Sequence, residues 1–111
     1  MKKQEIEKDE EKEINNRFMS SLHKTVKDCK NIKQLYGWRA YREAKTYSGA
    51  GYVEDIVEIA RHRYPNDINN NIRTIFLSIS LEIYIDRLQK IEKCFEDRKR
   101  DIIKVGEECV K

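Results

Sequence analysis

Proline occurs once in the 111 residues, at Pro65, and glycine four times, so few positions impose a turn and long helices are favoured. Cysteine is equally scarce: Cys29, Cys94 and Cys109 are odd in number and far apart. That spacing excludes a disulfide scaffold and paired zinc ligands, so the three read as reduced thiols and the expected compartment is the cytoplasm. No long hydrophobic run is present. The most apolar stretch, Thr74 to Leu81, ends at Glu82 and is too short to cross a bilayer. The start, Met1-Lys2-Lys3-Gln4-Glu5, leads into acidic residues, against a secretory signal. Net charge is only +3, so any attraction to phosphate has to come from uneven placement of charge.

Charged and hydrophobic residues each make up 39% of the chain, a balance suited to long helices with one solvated and one buried face. The length allows one domain with a modest core, often reinforced by self-association, and excludes a multi-domain enzyme. Residues 2 to 13 are nearly all charged and have almost nothing to bury, predicting a solvated, frayed helix start over 1–13 ahead of one bundle domain over 14–111.

From Ile14 an apolar stripe runs through Phe18, Leu22, Val26, Cys29, Ile32 and Tyr36 at spacings of three and four. The phase continues through Ala40, Ala44 and Tyr47, giving one very long helix or two helices broken near Asn31 or Gly37. Compactness favours the break. Tyr47-Ser48-Gly49-Ala50-Gly51 predicts a turn. Tyr52 to Tyr64 reads as a short helix ended by Pro65, with Asn66 or Asp67 placed to cap a final helix that nothing interrupts until Gly106.

That final helix carries two apolar patterns. Leu77, Leu81, Tyr84, Leu88, Ile91, Phe95, Ile102 and Val105 follow a four-three repeat, broken where Arg98 takes an apolar position. Ile72, Ile75, Phe76, Ile79, Ile83 and Ile85 make the first half apolar around most of its circumference, predicting that it lies mid-bundle. The narrow seam of the second half needs a neighbour, either the first helix or a second copy in a homodimer. Ile75 to Ile83 also alternates like a strand, but no turn bounds it and no second strand-like segment pairs with it. The expected class is all-α: a bundle of three to four helices with a long C-terminal helix.

The strongest candidate surface is Lys24 to Lys45. Lys24, Lys27, Lys30, Lys33, Arg39, Arg42 and Lys45 stand against only Asp28 and Glu43, a local net charge of +5, and Tyr36, Trp38, Tyr41 and Tyr47 are interleaved with them. Arg61 and Arg63 add a second basic cluster. Cations that neutralise phosphate beside rings that stack on bases point to nucleic acid. Tryptophan, tyrosine and arginine equally anchor protein interfaces, while the bland reading makes the rings core and the lysines a solvated face. The leading expectation is a non-enzymatic blocker or adaptor that binds a protein or nucleoprotein partner. The surface expected to engage that partner is Lys27, Lys30, Lys33, Trp38, Arg39, Tyr41, Arg42, Lys45, Arg61 and Arg63, and direct RNA or DNA binding through the same residues is the alternative. Usage rich in lysine, isoleucine and asparagine is compatible with an accessory protein of a phage or mobile element.

For catalysis the inventory is thin. His23 and His62 are the two histidines, and His62 with Glu58 reads as a surface contact rather than an acid-base couple. An RNA-cleaving role for Arg61 and His62 has no other support. Ser48-Gly49-Ala50-Gly51 lacks the lysine and hydroxyl of a phosphate loop. The acids Glu54, Asp55 and Glu58 at the start of the next helix argue against insertion into a DNA groove. Acids alternating with bases along the last helix fit a salt-bridged solvent face. No catalytic, metal or cofactor site is expected.

Overall fold

The structure, a computed structural model, describes the backbone of residues 2–48, 50–66 and 68–110 and the side chains of 10–46, 48, 51–66 and 71–106. Among these residues there are four helices and no strand: α1 (Lys2–Val26), α2 (Ile32–Ser48), α3 (Ala50–Arg63) and α4 (Ile68–Val110). The break between α1 and α2 falls on residues 27–31, beside Asn31. Asn31 Oδ1 accepts from the Gln34 N–H at 2.8 Å, and Gln34 Oε1 accepts from the Lys30 N–H at 2.7 Å, a reciprocal cap that starts α2. Gly37 lies inside α2.

Arg98, the residue that interrupts the apolar repeat, closes this same loop. Its guanidinium donates to Cys29 O at 2.8 and 3.2 Å, supplying positive charge and donors just past the C-terminal end of α1, where carbonyls lack partners. The polar intrusion in the repeat is therefore a tether from α4 to the α1–α2 loop.

Three expectations about boundaries change. α2 runs to Ser48 and α3 begins at Ala50, so Tyr47, Ser48, Ala50 and Gly51 are helical where a turn was expected, and Gly49 lies outside the described residues. α4 continues through Gly106 to Val110, because nothing in the chain forces positive φ there. A kink at Asn71 (φ −125°, ψ 29°) had no forewarning in the pattern. Of the two proposed caps, Asp67 is outside the described residues.

α4 is the spine. Its 43 residues correspond to about 64 Å of helix, matching a longest dimension of 62 Å. The radius of gyration, 17.5 Å, exceeds the roughly 13 Å of a compact chain this size. Two cores lie along the spine. Toward its N-terminal half, Ile14 of α1 meets Tyr52, Ile56, Ile59 and Ala60 of α3 and Ile75, Ile79 and Ile83 of α4. Toward its C-terminal half, Leu22 and Val26 of α1 meet Leu35 and Trp38 of α2 and Ile91, Cys94 and Phe95 of α4. Burial raises the pKa of both Cys29 and Cys94, keeping these thiols protonated and unreactive.

The buried stripe of α4 advances mainly in steps of four, Ile75, Ile79, Ile83, Arg87, Ile91 and Phe95. Steps of four drift about 40° per turn, so the core-facing side winds around the helix. This overturns the expected seam in the first half: Leu77 and Leu81 are 63% and 62% exposed and Ile85 47%. The first half of α4 is covered on one side only, rather than sitting mid-bundle. The second half finds its neighbours within the chain, in α2 and the end of α1.

Candidate functional site

The basic and aromatic segment is split by the fold. Trp38 is buried at 8% exposure and donates Nε1–H to Thr25 Oγ1 at 2.8 Å, which frees no indole face for stacking. Arg39 is engaged by Glu92 at 3.3 Å and Glu43 at 3.7 Å, and its guanidinium sits 4.0 Å from the centre of the Phe95 ring. Arg63 is held between Glu11 at 2.7 Å and Glu82 at 2.9 Å. Hydrogen bonds from Arg63 hold the Glu82 carboxyl below its ordinary value, and the same bonds push the Arg63 guanidinium up. Glu11 comes from the charged start of α1, so that run is in part a strap onto α3.

The other expected residues fall in two places. Lys27, Lys30 and Lys33 are exposed in the α1–α2 loop and first turn of α2, joined by Lys24 at the end of α1 and by Tyr36, 45% exposed. None of these four lysines has an ion pair among the described residues. Arg61 is exposed on α3, away from that end. Tyr41, 58% exposed, and Lys45, 5.7 Å from its ring centre, lie on α2 beside Arg42.

Arg42 opens onto the feature that sequence reasoning missed. Where the two cores meet, all four helices contribute to a charged waist. Arg87 of α4, 5% exposed, donates to Asp55 Oδ2 of α3 at 2.7 Å and lies 4.5 Å from the Phe18 ring centre. Arg17 of α1 reaches Asp55 Oδ1 at 3.9 Å. Arg42 donates to Ser21 Oγ at 3.0 Å. Beside them is a half-open pocket of about 340 Å³ whose lining includes Arg42, Lys45, Tyr52 and Arg87. The signal was legible: Ile75, Ile79, Ile83 and Ile91 step by fours with Arg87 in the vacant place.

A second, larger groove of about 550 Å³ runs between α3 and α4, lined by Tyr52, Val53, Phe76, Leu77, Leu81 and Tyr84. In its lining the Tyr52 hydroxyl meets Ser80 Oγ at 2.7 Å. No protein-family model, curated protein or solved structure matches the chain. Among the described residues, the one grouping of imidazole with carboxylates is His62 with Glu10 and Glu58, their ligand atoms within 4.8 Å of one another. His62 Nε2 is 3.8 Å from Glu10, a contact that joins α1 to α3. Among the described residues no helix is long and apolar enough to cross a membrane.

Proposed function

We propose that this is a non-enzymatic interaction protein that pairs with a second copy through α4 and, as a dimer, blocks or recruits a macromolecular partner. One observation carries the reading: the uncovered face of α4. Thr74, Leu77, Ser78, Leu81 and Ile85 are exposed on that face, opposite Ile75, Ile79 and Ile83, with Leu88 half-buried at its end, and none of the six is charged. A monomer that exposed this stripe would keep leucine and isoleucine side chains in water at an unfavourable free energy of about 25 cal/mol per Å².

A second copy suits the stripe because it is self-complementary. An antiparallel pair of α4 helices centred on Leu81 sets Leu81 against its counterpart, Thr74 against Leu88, and Ile85 against Leu77 and Ser78, large beside small at both ends. The stripe spans about 22 Å, a helix-pairing seam of ordinary length. Mixing a Ser78→Cys chain with an Ile85→Cys chain is therefore expected to give a disulfide-linked heterodimer under mild oxidation, while neither chain alone cross-links through the new thiol. Cross-linking of each variant with itself would indicate parallel pairing, and no cross-link in the mixture would reject this seam.

A second reading, direct nucleic-acid binding, draws on the four exposed lysines at the α1–α2 end. Of the residues expected to form that surface, Lys27, Lys30 and Lys33 keep their charge free for phosphate, and Tyr36 supplies a partly exposed ring. It predicts affinity for RNA or DNA that falls steeply with salt, with a logarithmic slope that shrinks by about one for each lysine replaced. Binding unaffected by salt, or no binding, rejects it.

A further inference from the structure

The waist pocket concentrates positive charge that the chain itself does not neutralise. Arg42, Lys45 and Arg87 line it with a single carboxylate, Asp55, which is already shared by Arg87 at 2.7 Å and by Arg17 from outside the pocket at 3.9 Å. Arg42 meets the neutral hydroxyl of Ser21 and, at 5.9 Å, the Phe18 ring, and neither it nor Lys45 has an ion pair among the described residues. Arg87 is 95% buried by its 5% exposure, yet its Nε has no hydrogen-bond partner. Buried donors left in that state are rare and call for an explanation. Burial holds the Arg42 guanidinium below its ordinary value; the Tyr41 phenol opposes this and the charge of Arg87 adds to it. The rings of Phe18 and Tyr52, 4.5 and 5.9 Å from the Arg87 guanidinium, offset part of the charge and leave the rest.

We propose that this pocket binds a small phosphate monoester carrying a ring, with the phosphate between Arg42, Lys45 and the Arg87 side of the pocket and the ring against Tyr41. Guanidinium groups suit phosphate because their planar donors bind its oxygens in pairs. The volume of about 340 Å³ is within the range of small-molecule sites, and Tyr41 at the rim, 58% exposed, offers a face for stacking. All four helices meet at the pocket, so an occupant would tie the two cores together. The site is independent of α4 pairing and would stand if the chain proved monomeric.

The test is calorimetric titration of the full chain with inorganic phosphate and, separately, adenosine monophosphate at matched ionic strength. Saturable binding with one site per chain is expected, about tenfold or more tighter for the nucleotide, and weakened about tenfold by Arg42→Gln through loss of a charge-assisted hydrogen bond. Arg42→Gln leaves the Asp55–Arg87 pair intact; if it loses its helical circular dichroism, the exposed substitution Lys45→Gln serves in its place. Absence of saturable binding, affinity unchanged in these variants, or a nucleotide held no tighter than phosphate would overturn the proposal.

Discussion

Asp55→Ala is expected to destabilise the bundle by about 3–5 kcal/mol, among the largest effects of any single side chain outside the apolar cores. Among the described residues the carboxylate is the only acidic partner of the Arg87 guanidinium, whose side chain is 6% exposed. Removing it strands a buried positive charge and loosens Arg17 as well. The Phe18 ring 4.5 Å away softens the loss without replacing the hydrogen bond. The asymmetry of buried ion pairs gives the prediction its edge: a double variant, Asp55→Leu with Arg87→Met, removes both charges and should recover most of the lost stability. Urea denaturation followed by circular dichroism measures both. A double variant as unstable as Asp55→Ala would mean that the pair contributes net stability beyond satisfying its own charges.

The second large effect concerns association. Leu77→Glu with Leu81→Glu places two carboxylates on the face where α4 meets its copy, so pairing should be abolished by charge repulsion and desolvation. Both side chains are more than 60% exposed in the single chain, so the fold has little to lose and helical content should be preserved. The native protein, in contrast, should show a urea midpoint that rises with protein concentration, because pairing stabilises the folded state by mass action. In the variant the midpoint should be independent of concentration. A concentration-dependent midpoint in the variant, or loss of its helical signal, would place these leucines in another role.

How much of this was readable beforehand differs by element. The helices followed from apolar residues at spacings of three and four, but compactness narrowed the α1–α2 break only to Asn31 or Gly37; the reciprocal hydrogen bonds of Asn31 and Gln34 decide for Asn31. The functional surface was harder. Trp38 and Arg39 have the same composition whether they line a core or a binding face, and only the packing of α2 against α1 and α4 decides it. The four-three repeat of α4 was real but divided: Ile91, Phe95 and Ile102 pack within the chain, while Leu77 and Leu81 do not. A periodic pattern states which residues share a face and is silent on what that face meets. Arg87 and Arg98 were the informative exceptions. Each stands where the pattern calls for an apolar residue, and each makes a polar contact across the bundle, with Asp55 and with Cys29 O.

Self-association through the uncovered face of α4 is tested most directly by sedimentation equilibrium of the native protein at micromolar concentrations. Pairing predicts a mass of twice the 13.3 kDa chain, falling to that of one chain in the Leu77→Glu, Leu81→Glu variant. A native protein that sediments with the mass of a single chain at every concentration would contradict it.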